Sequence, residues 1–440
     1  MVNQLKLPRD TKQLRIGGKT LFFNPKAPAW LVTNKNGELI LALCNGKRTP
    51  AEITEIFGAR YGQEHKPIVG TFLKGAISSN IFSDDIFSEV IRTSDYKLRI
   101  LQLSLTSNCN LKCSYCYATD RKEQGERALC LEDYRKVIEE AAKMSSGIDV
   151  VLTGGEPLLN PDCFSIAEYA NRFGCHVQLL TNGTLINESN VQDIKNLFRL
   201  VKISIDGSTK ELHEKHRGVH SYEAANSAIT LLSAANVNYA VSMTVTKLNI
   251  HDIGAMTELY GSRLAFAPLF KAGNAKKSKA CISGDEYFTA LSKVQGVNPL
   301  SYCDSSLESA KRHKICKCAI GDAEISISAT GDVYPCQLLH NREFYAGNIL
   351  KSSFIDIYNT SDVLQTCRHL TVDNLKGCSK CYLRYVCGGA CRARAFYECG
   401  NIRVSGKFCE YEKKAFVKGI MAIYSENALQ TTPQTEDIRK

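Results

Sequence analysis

Six apolar, β-rich segments recur along residues 99–270, and each ends in a polar or glycine-rich tip. In chain order they read "LRILQLSLT", "GIDVVLTGGE", "HVQLLTNGT", "LVKISIDGS", "YAVSMTVTK" and "RLAFAPLF". Amphipathic segments of helical period, such as "LEDYRKVIEEAAKM" and "EAANSAITLLSAAN", lie between them. This alternation predicts an α/β fold with a parallel sheet, and six units predict a barrel or partial barrel. In that architecture the chemistry lies at the carboxyl ends of the strands.

A dense cysteine triplet follows the first of these segments. In "LTSNCNLKCSYCYATD", Cys109, Cys113 and Cys116 fall within eight positions. A closed structural zinc site needs four ligands, usually as paired C-x2-C knuckles, so three thiolates leave one metal position open. A 4Fe-4S cubane held by three cysteines exposes one iron to an outside ligand, as a catalytic cluster requires. The triplet therefore favours a catalytic iron-sulfur cluster, with zinc as the alternative.

The spacing of the triplet, C-x3-C-x-aromatic-C with Tyr115 before the last cysteine, resembles the radical S-adenosylmethionine (SAM) superfamily. The resemblance implies a partial (β/α)6 barrel over residues 99–300 and a catalytic 4Fe-4S cluster on Cys109, Cys113 and Cys116. It further implies that SAM binds the open iron. Tyr115 would pack beside the adenine or the cluster, with an ordinary core aromatic as the alternative.

Two motifs at later strand ends match the same resemblance. "TGGEP" ends the second segment, where Gly154 and Gly155 let the backbone approach a ligand closely and Glu156 can take an ammonium. "KISIDG" ends the fourth segment, where Ser204 and Asp206 share a face through two-residue alternation. The resemblance implies that the first motif holds the amino group of SAM and that Ser204 contacts the cofactor. For Asp206 a turn-forming role remains the alternative.

Arg217, in "HEKHRG", stands where related maturases carry an arginine for the SAM carboxylate. A planar guanidinium suits bidentate recognition of a carboxylate. The alternative is a solvent-exposed charge on a helix, which contributes little. The resemblance therefore predicts a cofactor-binding arginine at this position.

The last third of the chain carries a second cysteine pattern. Cys318 is followed after twelve residues by a glycine and after four more by Cys336, and "CSKCYLRYVCGGAC" then has the spacing C-x2-C-x5-C-x3-C. Seventeen residues separate Cys391 from Cys409. This seven-cysteine pattern resembles the SPASM extension of radical SAM maturases. Because C-x2-C alone is also a zinc signature, zinc knuckles remain the alternative for Cys378 and Cys381.

The SPASM resemblance implies two auxiliary 4Fe-4S clusters within residues 310–415, which makes three clusters with the one in the barrel. The implied ligands of the outer cluster are Cys378, Cys381, Cys387 and Cys409. The implied ligands of the inner cluster are Cys318, Cys336 and Cys391. The fourth inner ligand stays open between Cys316, the distant Cys303 and a substrate thiolate. Residues 416–440 are expected to form a terminal helix and tail.

Residues 1–90 form a candidate domain of their own. "KTLFFNPKAPAWLVT" predicts two short strands, and "NGELILALC" and "TPAEITEIFGARYG" predict helices, the second with Thr49 as N-cap and Pro50 at its first position. On pattern alone this is a structural or dimerising module. The order of elements resembles the winged-helix peptide-recognition element of pyrroloquinoline quinone biosynthesis, which implies that an exposed sheet edge binds a leader peptide by strand addition.

Composition narrows the setting. The chain of 440 residues has 19 cysteines, which in a reducing compartment are more often metal ligands than disulfides. No segment has the length of a membrane helix or the apolar centre of a secretory signal, so a cytoplasmic, membrane-free location is expected. The net charge of +10 is scattered without aromatic interleaving, which argues against a nucleic-acid partner.

Together these features predict a radical SAM/SPASM maturase, a radical SAM oxidoreductase that crosslinks a ribosomally made precursor peptide through a thioether or carbon-carbon bond. Auxiliary clusters favour net oxidation because they can accept the second electron. An electron donor such as flavodoxin or ferredoxin is implied. The alternatives are a peptide epimerase, a sulfatase-activating or small-molecule cofactor enzyme, and a non-catalytic iron-sulfur carrier.

Overall fold

The computed structural model describes residues 4–27, 29–83, 98–120, 125–294 and 315–431. Cys303 and the last residues of the predicted tail lie outside these ranges, as does the end of the predicted domain 1–90. Within the described residues, no helix combines the length and apolarity needed to cross a membrane.

The amino-terminal part is a three-stranded antiparallel sheet with three helices. Its strands are β1 (Lys12–Ile16), β2 (Lys19–Asn24) and β3 (Ala29–Thr33), in that order. Its helices are α1 (Lys35–Leu43), α2 (Pro50–Tyr61) and α3 (Lys66–Ser78). Thr49 caps α2 in a reciprocal capping box with Glu52, which confirms the predicted helix start.

Both faces of the strands β2 and β3 are covered. Phe22 and Leu31 pack on the helices of the same domain, whereas Phe23 and Trp30 belong to the main core of the protein. The Phe23 ring also meets the edge of Tyr382, 5.8 Å away between centroids. This double burial explains why residues 21–23 of β2 and 29–32 of β3 are apolar in succession instead of alternating.

The predicted six parallel strands are confirmed. They are β4 (Ile100–Ser104), β5 (Asp149–Thr153), β6 (His176–Thr181), β7 (Leu200–Ser204), β8 (Tyr239–Val245) and β9 (Leu264–Pro268), adjacent in chain order. The helices around them are α4 (Leu131–Met144), α5 (Cys163–Arg172), α6 (Val191–Leu197), α7 (Lys210–Arg217), α8 (Ser221–Ala234), α9 (Ile253–Tyr260) and α10 (Gly284–Leu291). The α/β fold class with a parallel barrel-like sheet is therefore as expected.

The cysteine-rich part extends this sheet. The strand β10 (Glu324–Ile327) pairs in parallel with β4, and β11 (Asp332–Tyr334) and β12 (Gly347–Asn348) follow antiparallel beyond it. The sheet order is β12-β11-β10-β4-β5-β6-β7-β8-β9. The remaining helices are α11 (Phe354–Thr360), α12 (Asp362–Arg368), α13 (Arg384–Cys387), α14 (Arg392–Cys399) and α15 (Cys409–Thr431). Sequence patterns indicated neither β10 nor its partner.

Candidate active site

The predicted ligands Cys109, Cys113 and Cys116 lie on the loop that follows the carboxyl end of β4. Burial raises the pKa of the Cys113 thiol to about 11, while Arg217 acts to lower it and the neighbouring Cys116 and Cys109 add to the rise. The Cys113 thiol is therefore close enough to Cys109 and Cys116 to be affected by the charge of both. Asn274 fixes the loop from the far side, donating from its backbone to the Cys116 carbonyl at 3.0 Å.

Donor geometry can be tested against a single zinc ion. Within the part of the chain that the structure describes, no three cysteine, histidine or carboxylate side chains converge closely enough to hold one metal ion. A zinc ion needs its thiolates at about 2.3 Å. A four-iron cubane holds its thiolates further apart than one zinc ion does, and Cys109, Cys113 and Cys116 stay the predicted ligands of such a cluster.

The glycines of "TGGEP" pack directly against the cysteine loop. The backbone N–H of Gly155 donates to the Thr106 carbonyl at 2.8 Å. A Cβ added to Gly154 would lie 2.4 Å from that carbonyl, and one added to Gly155 would lie 2.1 Å from the Asn108 carbonyl. Gly154 also has a φ of +137°, which disfavours any side chain. Both glycines therefore permit the close packing of this turn against the cysteine loop, and their predicted approach to SAM stays a prediction.

Glu156 has several partners within the chain, and its predicted role toward an ammonium stays a prediction. It is fully buried, and its carboxylate accepts hydrogen bonds from Thr181 Oγ1 at 2.7 Å and from the backbone N–H groups of Asn182 and Leu158 at 2.8 and 3.2 Å. Burial raises the pKa of Glu156 although these donors oppose the shift. Both oxygens thus accept hydrogen bonds within the chain, and Glu156 ties the ends of β5 and β6 together.

Asn182, to which the sequence assigned no role, links that junction to the cluster loop. Its Nδ2 donates to Asn110 Oδ1 at 2.9 Å and lies 3.9 Å from Cys109 Sγ. Its backbone N–H donates the hydrogen bond that Glu156 Oε2 accepts. The segment "LLTNGTL", residues 179–185 at the end of β6, therefore helps to position Cys109. In the sequence, only its location at a strand end indicated such a role.

Asp206 is the centre of a buried network. Its Oδ2 forms an ion pair with Arg217 Nε at 2.5 Å and also accepts a short hydrogen bond from the Tyr115 hydroxyl. Its Oδ1 accepts from the backbone N–H of Thr244 at 2.8 Å. Burial would raise the pKa of Asp206, but the charge and hydrogen bond of Arg217 and the Tyr115 bond outweigh it and hold the pKa below the usual value. Asp206 does more than form a turn.

Arg217 is correspondingly not an exposed helix charge. Its side chain is 10% exposed, and its guanidinium carbon lies 5.8 Å from the Tyr115 ring centroid. Among the described residues its Nε bonds to Asp206, and its terminal nitrogens have no hydrogen-bond partner. Burial would lower the pKa of Arg217, but the charge of Asp206, and then those of Tyr115 and Cys113, raise it. Ser204 is the last residue of β7 and is half-buried beside this network.

Two histidines brace the helix that carries Arg217. The His216 ring meets the edge of Tyr115 at 5.4 Å, its Nε2 lies 3.1 Å from Thr246 Oγ1, and its carbonyl accepts from Ser114 N–H at 2.9 Å. Burial lowers the pKa of His216, and it lowers that of His213 to about 4. Both imidazoles are therefore neutral at pH 7. His216 holds α7 against the cysteine loop, whereas His213 Nδ1 accepts from the backbone N–H of Asp206 at 3.3 Å.

The four predicted outer ligands are brought together. Cys378, Cys381, Cys387 and Cys409 line one small cavity, with Lys413 and Arg384 also in its wall. Burial is the main reason that the pKa of Cys409 is raised to about 11, and Lys413 acts against it. Two basic side chains beside four thiols suit an anionic cluster.

The inner trio also converges. Burial raises the pKa of Cys318 to about 11 and that of Cys336 well above its usual value, and Cys391 adds to both shifts. Glu324, on β10, is a further neighbouring charge that raises both. Cys316 precedes this trio and its carbonyl accepts from Val372 N–H at 2.8 Å. It remains a predicted fourth ligand.

Comparison with known proteins gives two family matches. Residues 103–260 match the radical SAM superfamily, and residues 316–382 match SPASM, an iron-sulfur cluster-binding domain. An AdoMet-dependent heme synthase of Methanosarcina barkeri is 28% identical over 343 residues, covering 71% of this chain and 96% of that protein. The mycofactocin maturase MftC of Mycobacterium ulcerans is 26% identical over 326 residues, covering 68% and 84%.

Among solved structures, Streptococcus suis SuiB bound to its precursor peptide SuiA has the same fold. The TM-score is 0.58 at 14% sequence identity, and the match covers 92% of this chain and 99% of that one.

Proposed function

We propose that this chain, which is a radical SAM enzyme carrying a SPASM domain, oxidatively crosslinks a ribosomally made precursor peptide. The observation that carries the proposal is the folded domain of β1–β3 and α1–α3, which lies outside both family matches. The heme synthase relative matches 96% of its own length with only 71% of this chain, so this chain has substantial additional structure. SuiB, whose structure holds a precursor peptide, matches 92% of the chain.

Leader docking by strand addition requires an available sheet edge. In the amino-terminal sheet, β1 is an outer strand, and four of its five residues are exposed. The opposite outer strand β3 is buried at every residue. We therefore assign the leader to the β1 edge, where backbone hydrogen bonds give affinity with little demand on sequence.

The chain's cysteines would hold three 4Fe-4S clusters, with Cys109, Cys113 and Cys116 on the SAM-binding one. When bound, SAM and the clusters supply one-electron chemistry, namely a hydrogen-abstracting adenosyl radical and an acceptor for the second substrate electron. A donor of the flavodoxin or ferredoxin class would reduce the first cluster. The SPASM ligands would be Cys316, Cys318, Cys336 and Cys391 for the inner cluster and Cys378, Cys381, Cys387 and Cys409 for the outer one.

The protein's own contribution is placement. Arg217, with Nε fixed by Asp206, would present its two open nitrogens to the SAM carboxylate as a bidentate fork. Gly154 and Gly155 would let backbone carbonyls reach the amino group, and Glu156, held by Thr181 and Asn182, would face it with its remaining acceptor capacity. Tyr115, whose hydroxyl donates to Asp206, would contact the cofactor from one side. Ser204, at the end of β7, would be a further contact.

Tetrapyrrole oxidation is the second candidate, because the heme synthase relative is matched over nearly its whole length. The two candidates differ in the substrate and in the need for the amino-terminal domain. Leader binding by β1 favours only the first.

The deciding experiment is intact-mass analysis of a precursor peptide encoded beside this gene, after anaerobic incubation with reconstituted enzyme, SAM and reductant. Loss of two hydrogens per event supports crosslinking. An unchanged mass in light water with a gain in deuterated water means epimerisation and overturns it. Turnover of iron-coproporphyrin III with no change in peptide would establish the second candidate.

A separate measurement tests the docking edge. Consecutive N–H groups of a strand point to opposite sides, so one of Leu14→Pro and Arg15→Pro removes an outward donor while the other breaks the pairing with β2. Fluorescence anisotropy of a labelled leader should show at least a tenfold weaker Kd for the variant that keeps a native circular dichroism spectrum. Unchanged binding in both variants would rule out the β1 edge.

A further inference from the structure

A second cavity lies between the radical SAM part and the cysteine-rich part. It has a volume of about 210 Å³. The lining side chains used below are Tyr117, Lys276, Gln337, His340, Phe396 and Tyr397. It contains none of the cysteines and is separate from the Asp206 network.

The position of this cavity is set by the two sets of predicted cluster ligands. Tyr117 directly follows Cys116, and Gln337 directly follows Cys336. Phe396 and Tyr397 lie on α14, which begins one residue after Cys391. The cavity therefore lies between the segment that carries the SAM-binding triplet and the segments that carry the inner trio.

Its volume restricts the occupant. At roughly 30 Å³ of liquid per molecule, the cavity has room for about seven waters, which is the size of one large amino-acid side chain. Aromatic walls beside amide, imidazole and ammonium groups suit a single residue with an apolar body and a polar end.

His340 is the best-held polar group of the lining. It is 5% exposed, its Nε2 lies 2.8 Å from Ser326 Oγ, and its ring stacks on Tyr334 with centroids 4.3 Å apart. Ser326 belongs to β10 and faces Gln102 of β4 in register, so the imidazole is fixed to the barrel sheet. Of the side-chain types named above, imidazole is the one whose ordinary chemistry includes exchange of a proton near neutral pH.

The geometry points to this cavity as the pocket for the one peptide residue that is oxidised, with His340 as the proton acceptor; the inference rests on the proposed function and deepens it. The balance is as follows. SAM would take up one electron from the proposed donor and release methionine as its C5′–S bond breaks, and the hydrogen atom of a substrate C–H bond would complete 5′-deoxyadenosine. The resulting carbon radical would bond to a substrate sulfur or carbon, and the S–H or C–H bond at that atom would break. Its proton would go to His340, and the remaining electron would go to the inner auxiliary cluster.

Photo-crosslinking tests occupancy independently of turnover. Benzoylphenylalanine replaces Lys276 at the cavity wall or, as a matched control, Lys279, which is also exposed but does not line the cavity. With reconstituted enzyme and the neighbouring precursor peptide, the Lys276 variant should crosslink the peptide core at least tenfold more than the Lys279 variant. Equal or absent crosslinking, while the wild-type enzyme still removes two hydrogens, would overturn the pocket and leave the proposed function standing.

His340→Gln tests the proton acceptor, because glutamine can still bond to Ser326 but cannot take a proton. The rate of two-hydrogen loss should fall about 10²- to 10⁴-fold. Cleavage of SAM should continue, so 5′-deoxyadenosine per crosslink rises, and in deuterated water label should enter unmodified peptide. A parallel fall in cleavage and crosslinking would mean a structural role and refute the assignment. Failure of wild-type enzyme to modify any peptide would instead refute the proposed function.

Discussion

Asp206→Asn removes one charge from a pair that the fold buries almost completely. Asp206 is fully buried, and 2.5 Å separate its Oδ2 from Arg217 Nε. Asparagine can still accept from Thr244 N–H but cannot neutralise the guanidinium. Removing one partner of a buried pair destabilises by about 3–5 kcal/mol, because the remaining charge stays desolvated. We expect the free energy of unfolding of the barrel to fall by that amount.

The coupling between the two residues is measured by adding Arg217→Met. Each single variant leaves an uncompensated charge, whereas the double variant leaves none. We therefore expect the double variant to be less destabilised than the sum of the singles by about 2 kcal/mol or more.

The assay is anaerobic urea unfolding of the reconstituted enzyme, with hydrogen exchange of peptides from residues 200–245 to assign the transition to this region. If the effects of Asp206→Asn and Arg217→Met add within about 0.5 kcal/mol, the residues do not interact and the argument fails. SAM affinity gives a second readout, since both single variants should bind SAM at least tenfold more weakly.

Three further outcomes are expected. Cys113→Ala should lower iron in the reconstituted protein by about four atoms per chain and abolish SAM cleavage, whereas serine at the exposed Cys130 should change neither. Gly155→Ala should weaken SAM binding at least tenfold in calorimetry by displacing the Asn108 carbonyl, whereas Gly254→Ala, whose Cβ meets nothing, should bind SAM normally. The pKa of His213 is about 4 in the fold against about 6.5 in the unfolded chain, so the free energy of unfolding should decrease as the pH falls from about 6.5 to 4. In unfolding titrations, a His213→Gln variant should lack roughly 3 kcal/mol of that decrease. An unchanged pH profile would contradict this.

Local patterns predicted the parallel strands, the capped helix α2 and the grouping of the cysteines into ligand sets, because each depends mainly on residues close together in sequence. Long-range pairing was not predictable in this way. The β10 strand bonds to β4, and the Gln102–Glu324 hydrogen bond spans 222 residues. A four-residue strand among turns carries too little periodicity to be recognised.

Side-chain partnerships within the site were equally hidden. The sequence placed Glu156, Asp206 and Arg217 at strand or helix ends. It gave no indication that Glu156 accepts a hydrogen bond from Asn182 or that Asp206 forms an ion pair with Arg217. Such contacts depend on which loops meet at the sheet edge. His340 was passed over because its neighbours come from β10 and β11 through tertiary packing.

The parallel pairing of β10 with β4 has a consequence for electron transfer. Cys318 and Cys336 flank the β10–β11 hairpin, and the cysteine triplet follows β4, so the two sets of thiols are attached to neighbouring strands of one hydrogen-bonded sheet. Their separation is then a property of strand register, and it cannot drift as a hinge between domains would allow. If clusters bind these cysteines as proposed, the distance that an electron must cross between them would be set when the chain folds, before any substrate binds.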